Sequence, residues 1–142
     1  MLKLTIIRHA KSSWDEPGTR DFDRTLNSRG QSDAPRIAGR MREAGIEPDC
    51  VITSPAVRAL ETTNILLAGL GLPPGQVRRE PRIYEASLAT LQSVVEDTPD
   101  ACKHLMLVGH NPGLEALCNY TQPGSVSRLT TCNAPMAGAS PP

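Results

Sequence analysis

Short apolar runs alternate along this chain with longer stretches in which apolar side chains recur every three or four positions. A continuous apolar run of about four to eight residues is typical of a strand buried on both faces of a sheet. Such runs predict strands at residues 3–8, 50–53 and 103–110, and a shorter extended segment near residues 79–83.

One helix is predicted before the second strand and one after it. Residues 31–44 place Ile37 and Met41 on one helical face, and Gly45 follows as a stop signal. Residues 54–69 form the second predicted helix. Ser54 is its expected N-cap, and Pro55 suits its first helical position. Its apolar residues Val57, Leu60 and Leu67 should share one face.

Two further helices are predicted in the second half of the chain. The segment SLATLQSVVED repeats apolar residues with helical spacing at Leu88, Leu91 and Val95. The segment NPGLEALCNY begins another helix, with Asn111 as its cap and Pro112 at its first position. Strands that alternate with helices predict an α/β fold with a mainly parallel sheet.

The domain organisation follows from length and from the end of the chain. A chain of 142 residues is typical of one domain, and we expect that domain to span residues 1–121. Residues 122–142 are rich in Pro, Gly, Ser, Thr and Ala and have no strand or helix period. They predict an irregular tail.

Charge and cysteine content narrow the function classes. Lys and Arg together number 15, as do Asp and Glu, so the whole-chain charge gives no sign of a nucleic-acid or membrane partner. The first ten residues hold no long apolar run of the kind that a signal peptide has. No apolar run approaches the length of a membrane span. The four cysteines, Cys50, Cys102, Cys118 and Cys132, have neither C-x-x-C nor zinc-finger spacing. This spacing favours reduced thiols in the cytoplasm over a disulfide or a metal site.

Four polar side chains follow the predicted strands at the edge where ligands of parallel sheets bind. Arg8 and His9 end the first strand, His110 ends the last, and Arg58 lies in the first turn after residues 50–53. Each of these, taken alone, is more often a solvated or capping residue. Together they suit a phosphoryl group, because guanidinium binds phosphate oxygens and imidazole is a nucleophile towards phosphorus.

Three segments resemble the histidine phosphatase superfamily: RHA after the first strand, TSPAVRALETT in mid-chain and VGHNPGL near the end. The short chain and RHAKSSW…DFDRTLNSRG are most similar to its SixA-type phosphohistidine phosphatases, over roughly residues 3 to 120. The resemblance implies a three-layer α/β/α, phosphoglycerate mutase-like fold.

The resemblance also implies roles for individual residues. His9 would be the nucleophile, and Arg8, Arg58 and His110 would complete the phosphate pocket around it. Glu85, in IYEAS, stands where many members place the acid that protonates the leaving oxygen. Ser12 and Asp15 lie on the loop where mutase-type relatives contact phosphate, which makes Ser12 a further candidate phosphate ligand.

The chain departs from the pattern of the family at four places. Ala10 replaces the commoner Gly, Asp15 stands where mutase-type relatives have Asn, and Thr25 stands where this branch has Pro. Relatives also continue after the last helix with an apolar strand, which the tail at residues 122–142 does not resemble. A carboxylate at position 15 would repel phosphate unless a cation intervenes.

These features predict a phosphatase that forms a phosphohistidine intermediate without metal or other cofactor. The expected substrate is a phosphorylated protein carrying phosphohistidine, because the chain is too short for the cap insertions that enclose small metabolites. A small-molecule phosphomonoesterase is the alternative substrate class, and a phosphate- or nucleotide-binding module without turnover is the alternative function. A mutase is the least favoured. We expect a cytoplasmic monomer with no nucleic-acid or membrane partner.

Overall fold

The computed structural model describes residues 3–9, 18–73, 75, 77–111 and 113–121. In these ranges strands alternate with helices. The strands are β1 (Lys3–Arg8), β2 (Cys50–Thr53), β3 (Val77–Arg79) and β4 (His104–Gly109). The helices are α1 (Ser28–Glu43), α2 (Val57–Leu70), α3 (Leu88–Glu96) and α4 (Gly113–Thr121), with 3-10 turns at Asp21–Asp23 and Pro81–Ile83.

Several residues singled out in the sequence lie outside these described ranges. They are Ala10, Ser12, Asp15, Pro112 and the tail at residues 122–142. The expectations about these residues, including the domain boundary at residue 121, therefore stay predictions.

The four strands form one parallel sheet in the order β1-β4-β2-β3. In its register, Arg8 pairs with Gly109 and Thr53 pairs with Val108. The sheet confirms the predicted α/β class. Because the strands are parallel, the carboxyl ends of β1, β4 and β2 meet at one edge.

The strands bury alternate side chains on opposite faces of the sheet, as their twofold period requires. On β4, Met106 and Val108 join one core, whereas Leu105 and Leu107 join the other. The first core packs against α1 and α2, and the second packs against α3 and α4. The architecture is therefore three-layered, α/β/α, as the sequence predicted.

Helix α1 begins three residues earlier than the apolar period indicated. Asn27 is its N-cap, and the Asn27 side chain accepts a hydrogen bond of 2.8 Å from the Gly30 N–H. The first turn is polar, which is why the periodicity did not reveal it. The helix ends as predicted before Gly45, whose φ of +74° is the left-handed conformation that glycine favours.

Helix α2 corrects a prediction. It begins at Val57, and Ala56 rather than Ser54 is its N-cap. The Ser54 hydroxyl instead accepts a hydrogen bond of 3.2 Å from the Ala56 N–H, forming a turn before the helix. The predicted apolar face was confirmed at Leu67, which is buried, and wrong at Val57 and Leu60, which are only partly buried. The buried residues are Arg58, Ala59, Thr62, Thr63, Leu66 and Leu67.

The second half of the chain follows the predicted elements more closely. Ser87 caps α3 through a bond from the Thr90 N–H, and Leu91 and Val94 are its fully buried side chains. The Asn111 side chain accepts a bond of 3.1 Å from the Glu115 N–H, as expected of a residue that caps α4. The extended segment predicted near residues 79–83 is a short strand followed by a 3-10 turn.

The cysteines correct a second prediction. Cys50 and Cys102, whose Cα atoms lie 6.0 Å apart, form a disulfide between the start of β2 and the segment before β4. Their separation of 52 residues concealed this pairing in the sequence. Cys118 is buried and takes no part in this disulfide. None of the helices in the described ranges has the length and apolar character needed to span a bilayer.

Helices α1 and α2 pack closely at Gly69, which generates a stability prediction. A Cβ at position 69 would overlap the Cβ of Ala38, whereas a Cβ on Gly39 would meet nothing within 4 Å. Gly69→Ala should therefore lower the free energy of unfolding by about 1–3 kcal/mol, because the helices must separate. Gly39→Ala, the matched control within α1, should raise it by about 0.5–1 kcal/mol. Denaturant unfolding measures both, and equal stabilisation by the two variants would contradict the close packing.

Candidate active site

The candidate site lies where the carboxyl ends of three neighbouring strands meet. The His9 N–H donates to the Gly109 carbonyl at 3.1 Å, and the Ser54 N–H donates to the Val108 carbonyl at 2.9 Å. Sheet-like bonding therefore continues one residue beyond β1 and β2. It fixes the backbones of His9 and Ser54 on either side of His110, which follows β4 directly.

Arg58 connects helix α2 to this edge. Arg58 is only 4% exposed, and its Nε–H donates to His9 Nε2 at 3.2 Å. A guanidinium has donors but no acceptor, so the ring nitrogen that faces it must carry a lone pair. His9 therefore has an unprotonated Nε2 directed into the site, which is the state that a nucleophilic imidazole requires.

Asp21, in the 3-10 turn before α1, holds the other side of the Arg58 guanidinium. The two Nη groups of Arg58 donate to Asp21, one to its backbone carbonyl and one to its carboxylate at 3.0 Å. The guanidinium is thus fixed by three of its five N–H groups. Its planar fork is positioned before any ligand arrives.

The Asp21 carboxylate serves two further donors. The Tyr84 hydroxyl donates to Oδ2 at 2.6 Å, and Arg24 donates to Oδ1 at 2.9 Å. Burial alone would raise the pKa of Asp21. The bonds from Tyr84, Arg58 and Arg24 outweigh burial and hold that pKa well below its ordinary value. Asp21 is therefore a permanent anion that balances the buried Arg58.

Tyr84 forms an aromatic wall of the site. Its ring meets the His110 ring edge-on with centroids 5.5 Å apart, and Phe22 packs against its other side at 5.1 Å. Burial and the hydrogen bond to the anionic Asp21 raise the pKa of Tyr84 to about 12. Its hydroxyl therefore stays a neutral donor at ordinary pH.

His110 is the second imidazole of the site. Its Nε2 lies 2.8 Å from Ser54 Oγ, and its ring centroid is 5.1 Å from that of His9. Burial, and then the positive charge of Arg58, lower the pKa of His110 to about 3. The ring is therefore neutral at neutral pH in the absence of an anion. A bound anion would offset the positive charges and make its protonation easier.

Arg8 and Glu85 act on this network through their charges. Arg8 ends β1, is partly buried, and contributes to lowering the pKa of His110 through its positive charge. Glu85 is exposed and has a φ of +56°, a left-handed backbone that non-glycine residues seldom adopt. It follows Tyr84 directly, and its charge helps to raise the pKa of Tyr84.

The structure thus brings His9, Arg58 and His110 together, with Arg8 at the same edge. Two guanidiniums and two imidazoles form a site suited to a tetrahedral oxyanion, with the unprotonated Nε2 of His9 as its candidate nucleophile. Glu85 lies near the site, but its carboxylate takes part in none of the described hydrogen bonds there. Ser12 lies outside the described residues.

Sequence reasoning missed three residues of this site. Ser54 was interpreted as a helix cap, but its hydroxyl also faces His110. Asp21 lay unremarked within the quoted segment DFDRTLNSRG, and Tyr84 lay beside Glu85 in IYEAS. The acidic residues of DFDR were the available signal for Asp21, because a buried arginine requires an anionic partner.

Comparisons with known proteins identify the family that this chain matches. Residues 4–112 match the model of the histidine phosphatase superfamily (branch 1). An uncharacterised chloroplastic protein of Arabidopsis thaliana is 32% identical over 146 residues, covering 96% of this chain and 66% of the relative. The 2,3-bisphosphoglycerate-dependent phosphoglycerate mutase of Thermobifida fusca is 38% identical over 94 residues, covering 65% of this chain. The chain spans only 38% of that mutase's length.

Solved structures show the same fold. A protein assigned as the phosphohistidine phosphatase SixA of Agrobacterium tumefaciens superposes with a TM-score of 0.86 at 29% identity. The match covers 95% of this chain and 90% of that one. A protein histidine phosphatase SixA complexed with tungstate superposes with a TM-score of 0.84 at 20% identity, covering 95% and 86% of the two chains.

The Asp21–Arg58 pair generates a prediction about stability and pH. Asp21→Asn should lower the free energy of unfolding by about 1–2 kcal/mol, because the buried guanidinium loses its anion. This loss of unfolding free energy is modest because the side chain of Asp21 is 44% exposed, so that solvent screens its ion pair with Arg58. Asp23→Asn is the matched control, since Asp23 pairs with the exposed Arg20. It should change stability by less than about 0.5 kcal/mol.

The pH dependence of this difference has a definite sign. The folded-state pKa of Asp21 is depressed, so its stabilisation is present above its ordinary pKa of about 4 and is lost as pH falls. Urea unfolding at pH 7 and at successively lower pH should show the wild type and Asp21→Asn converging. A difference that stays constant down to about pH 2 would contradict the ionic role of Asp21.

Proposed function

This chain belongs to the histidine phosphatase superfamily, and from this premise we propose that it hydrolyses phosphoryl groups through a phosphohistidine formed on His9. The observation that carries the proposal is the 3.2 Å hydrogen bond from Arg58 Nε to His9 Nε2. It leaves the lone pair of His9 on the nitrogen that faces the site. A purely structural histidine would have no need of a buried, immobilised guanidinium beside an unprotonated nitrogen.

In the proposed complex, the phosphoryl group lies between Arg8, Arg58 and His110. The Arg58 guanidinium carries one further N–H on each terminal nitrogen beyond those bound to Asp21. These can donate to phosphoryl oxygens without moving the side chain. A SixA protein with the same fold forms a complex with tungstate, a tetrahedral oxyanion like phosphate, which supports an oxyanion as the ligand.

The reaction then proceeds by two displacements at phosphorus. The hydrogen bond from Arg58 Nε opens, the lone pair of His9 Nε2 attacks phosphorus, a P–N bond forms, and the bond to the leaving group breaks on the opposite side. Water then attacks the phosphohistidine, the P–N bond breaks, and inorganic phosphate leaves. We propose that Glu85 gives a proton to the leaving group in the first step and takes one from water in the second.

The positive charge that this chemistry needs comes from side chains of the chain itself. Arg8 and Arg58 offset the charge that develops on the phosphoryl oxygens, and a neutral His110 can gain a proton as the anion binds. We therefore propose that the reaction requires neither metal nor another cofactor. Turnover that is retained in the presence of a chelator supports this, and turnover that is lost and then restored by a divalent cation contradicts it.

We propose that the substrate is phosphohistidine on a protein. Glu85 at the border of the site is exposed, so a side chain presented by another protein can reach this border. The 29%-identical structure is assigned as a phosphohistidine phosphatase. A small phosphomonoester is the alternative substrate.

The location and oligomeric state expected from the sequence remain predictions. The Arabidopsis relative is named as chloroplastic, which shows that relatives of this chain occur outside the cytoplasm. A monomer is consistent with the proposed mechanism, because the described site draws its residues from one chain.

The decisive experiment traps the intermediate. With a 32P-labelled substrate, the wild type should acquire an acid-labile, base-stable label that His9→Ala lacks, and His9→Ala should lose turnover. His104→Gln is the matched control, since His104 lies at the amino end of β4 and bonds Thr5 at 2.6 Å. It should label normally. The same proteins assayed with phosphohistidine and an aryl phosphate, side by side, distinguish the two substrate classes, and near-normal turnover by His9→Ala would refute the covalent mechanism.

The role of Glu85 predicts a dependence on the leaving group. An alkoxide needs a proton as it leaves, whereas a nitrophenolate leaves unaided and a phosphorylated imidazole is protonated beforehand. Glu85→Gln should therefore slow alkyl phosphates by about 100-fold or more and the other two substrates much less. Glu96→Gln, an exposed control at the end of α3, should affect none. Equal losses across the three leaving groups would remove Glu85 from the mechanism.

A further inference from the structure

A second cluster of reactive side chains lies at the amino-terminal edge of the sheet, opposite the candidate active site. Cys50 is the first residue of β2, and Cys102 lies two residues before β4. These strands are neighbours, with Cys50 in register with Leu105. The two Cα atoms are 6.0 Å apart, within the range of about 4.4–6.8 Å that disulfides occupy.

The backbone around both cysteines is held on rigid elements. The Asp49 carboxylate accepts the N–H groups of Lys103 and His104, each bond between 2.9 and 3.2 Å. The Asp49 N–H donates in return to the His104 carbonyl at 3.0 Å, and the Cys102 N–H donates to Pro99 at 2.9 Å. These bonds hold the two backbones at the spacing that a disulfide requires.

The site accommodates both the oxidised and the reduced state. In the oxidised state the two sulfurs are joined. In the reduced state the Cys102 sulfur, 3.3 Å from Asp49 Oδ1, has an acceptor for its S–H. The buried thiol therefore does not become an unsatisfied polar group when the bond opens.

The two cysteines differ from Cys118 in their access to solvent. Cys50 is partly exposed, and Cys102 lines a surface cavity of about 370 Å³ together with Pro99, Asp100 and Lys103. Cys118 is fully buried in the core beneath α4. A small disulfide or thiol can thus reach the Cys50–Cys102 pair, whereas the packed core shields Cys118.

We propose that Cys50 and Cys102 form a reversible oxidation site that exchanges with low-molecular-weight disulfides such as oxidised glutathione. The Cys50 thiolate attacks one glutathione sulfur, which forms a mixed disulfide and releases one reduced glutathione. The Cys102 thiolate then attacks the Cys50 sulfur, closes the protein disulfide and releases the second. Two thiols of the protein lose two electrons and two protons, and one glutathione disulfide gains them.

Asp49, Cys50 and Cys102 also offer three metal-ligand atoms within 4.8 Å of one another. A metal would have to compete with the backbone N–H groups that both Asp49 oxygens already accept. The geometry therefore favours the disulfide, and metal binding becomes an outcome that the experiment can detect.

The test uses the full chain and does not depend on phosphatase activity. Protein reduced and freed of reductant should show four alkylatable thiols after denaturation, one for each cysteine of the sequence. Incubation with oxidised glutathione should lower this number by two, and peptide mapping should find Cys50 linked to Cys102. Reduced glutathione in excess should restore all of them.

Two variants make the result specific. Cys102→Ser should retain one glutathione on Cys50, because the resolving thiol is missing, and Cys132→Ser should still close the Cys50–Cys102 bond. A linkage to Cys118 or Cys132, or a wild type that keeps all its thiols or holds a mixed disulfide, overturns the proposal. So does a reduced protein that resists oxidation while binding one Zn²⁺ per chain, which would make the cluster a metal site.

Discussion

The site depends on the burial of one positive charge, the guanidinium of Arg58. A buried arginine is tolerated only where its N–H groups meet acceptors and its charge meets an anion. Here the Asp21 carboxylate supplies the anion, and His9 Nε2 accepts the hydrogen bond from the Arg58 Nε–H. The requirement that stabilises Arg58 in the fold also sets the tautomer of His9, so structural and chemical roles coincide in the same three residues. Tyr84, which bonds Asp21 and contacts the His110 ring, extends this coupling to the second imidazole.

Strand order converts distant sequence segments into this arrangement. β4 lies between β1 and β2, so the residues that follow these strands, His9, His110 and Ser54, become neighbours at one edge. Because the strands are parallel, the candidate active site at their carboxyl ends is separated by the length of the strands from Cys50 and Cys102 at their amino ends.

The sequence supported the parallel α/β fold and the positions of His9, Arg58 and His110, because strand exits in parallel sheets follow a general rule. Other parts of the site have no local signal. Asp21 and Arg58 are 37 residues apart, and Tyr84 and Asp21 are 63 apart, so only the tertiary structure shows that they meet. The errors at α2 have a similar cause: the Ser54 hydroxyl bonds the Ala56 N–H and faces His110, a contact that spans 56 residues.

The position of β4 also constrains how the protein can be made. β1 pairs with β4 across a register that joins Lys3 to His104, and within the described strands β1 has no other partner. During synthesis, about a hundred further residues must therefore be added before β1 can pair with β4, whereas β2 and β3 can pair earlier. Loops of this length slow folding because closure entropy precedes the contacts that reward it. Arg8 and His9, the first site residues to be synthesised, are thus among the last to reach their final surroundings.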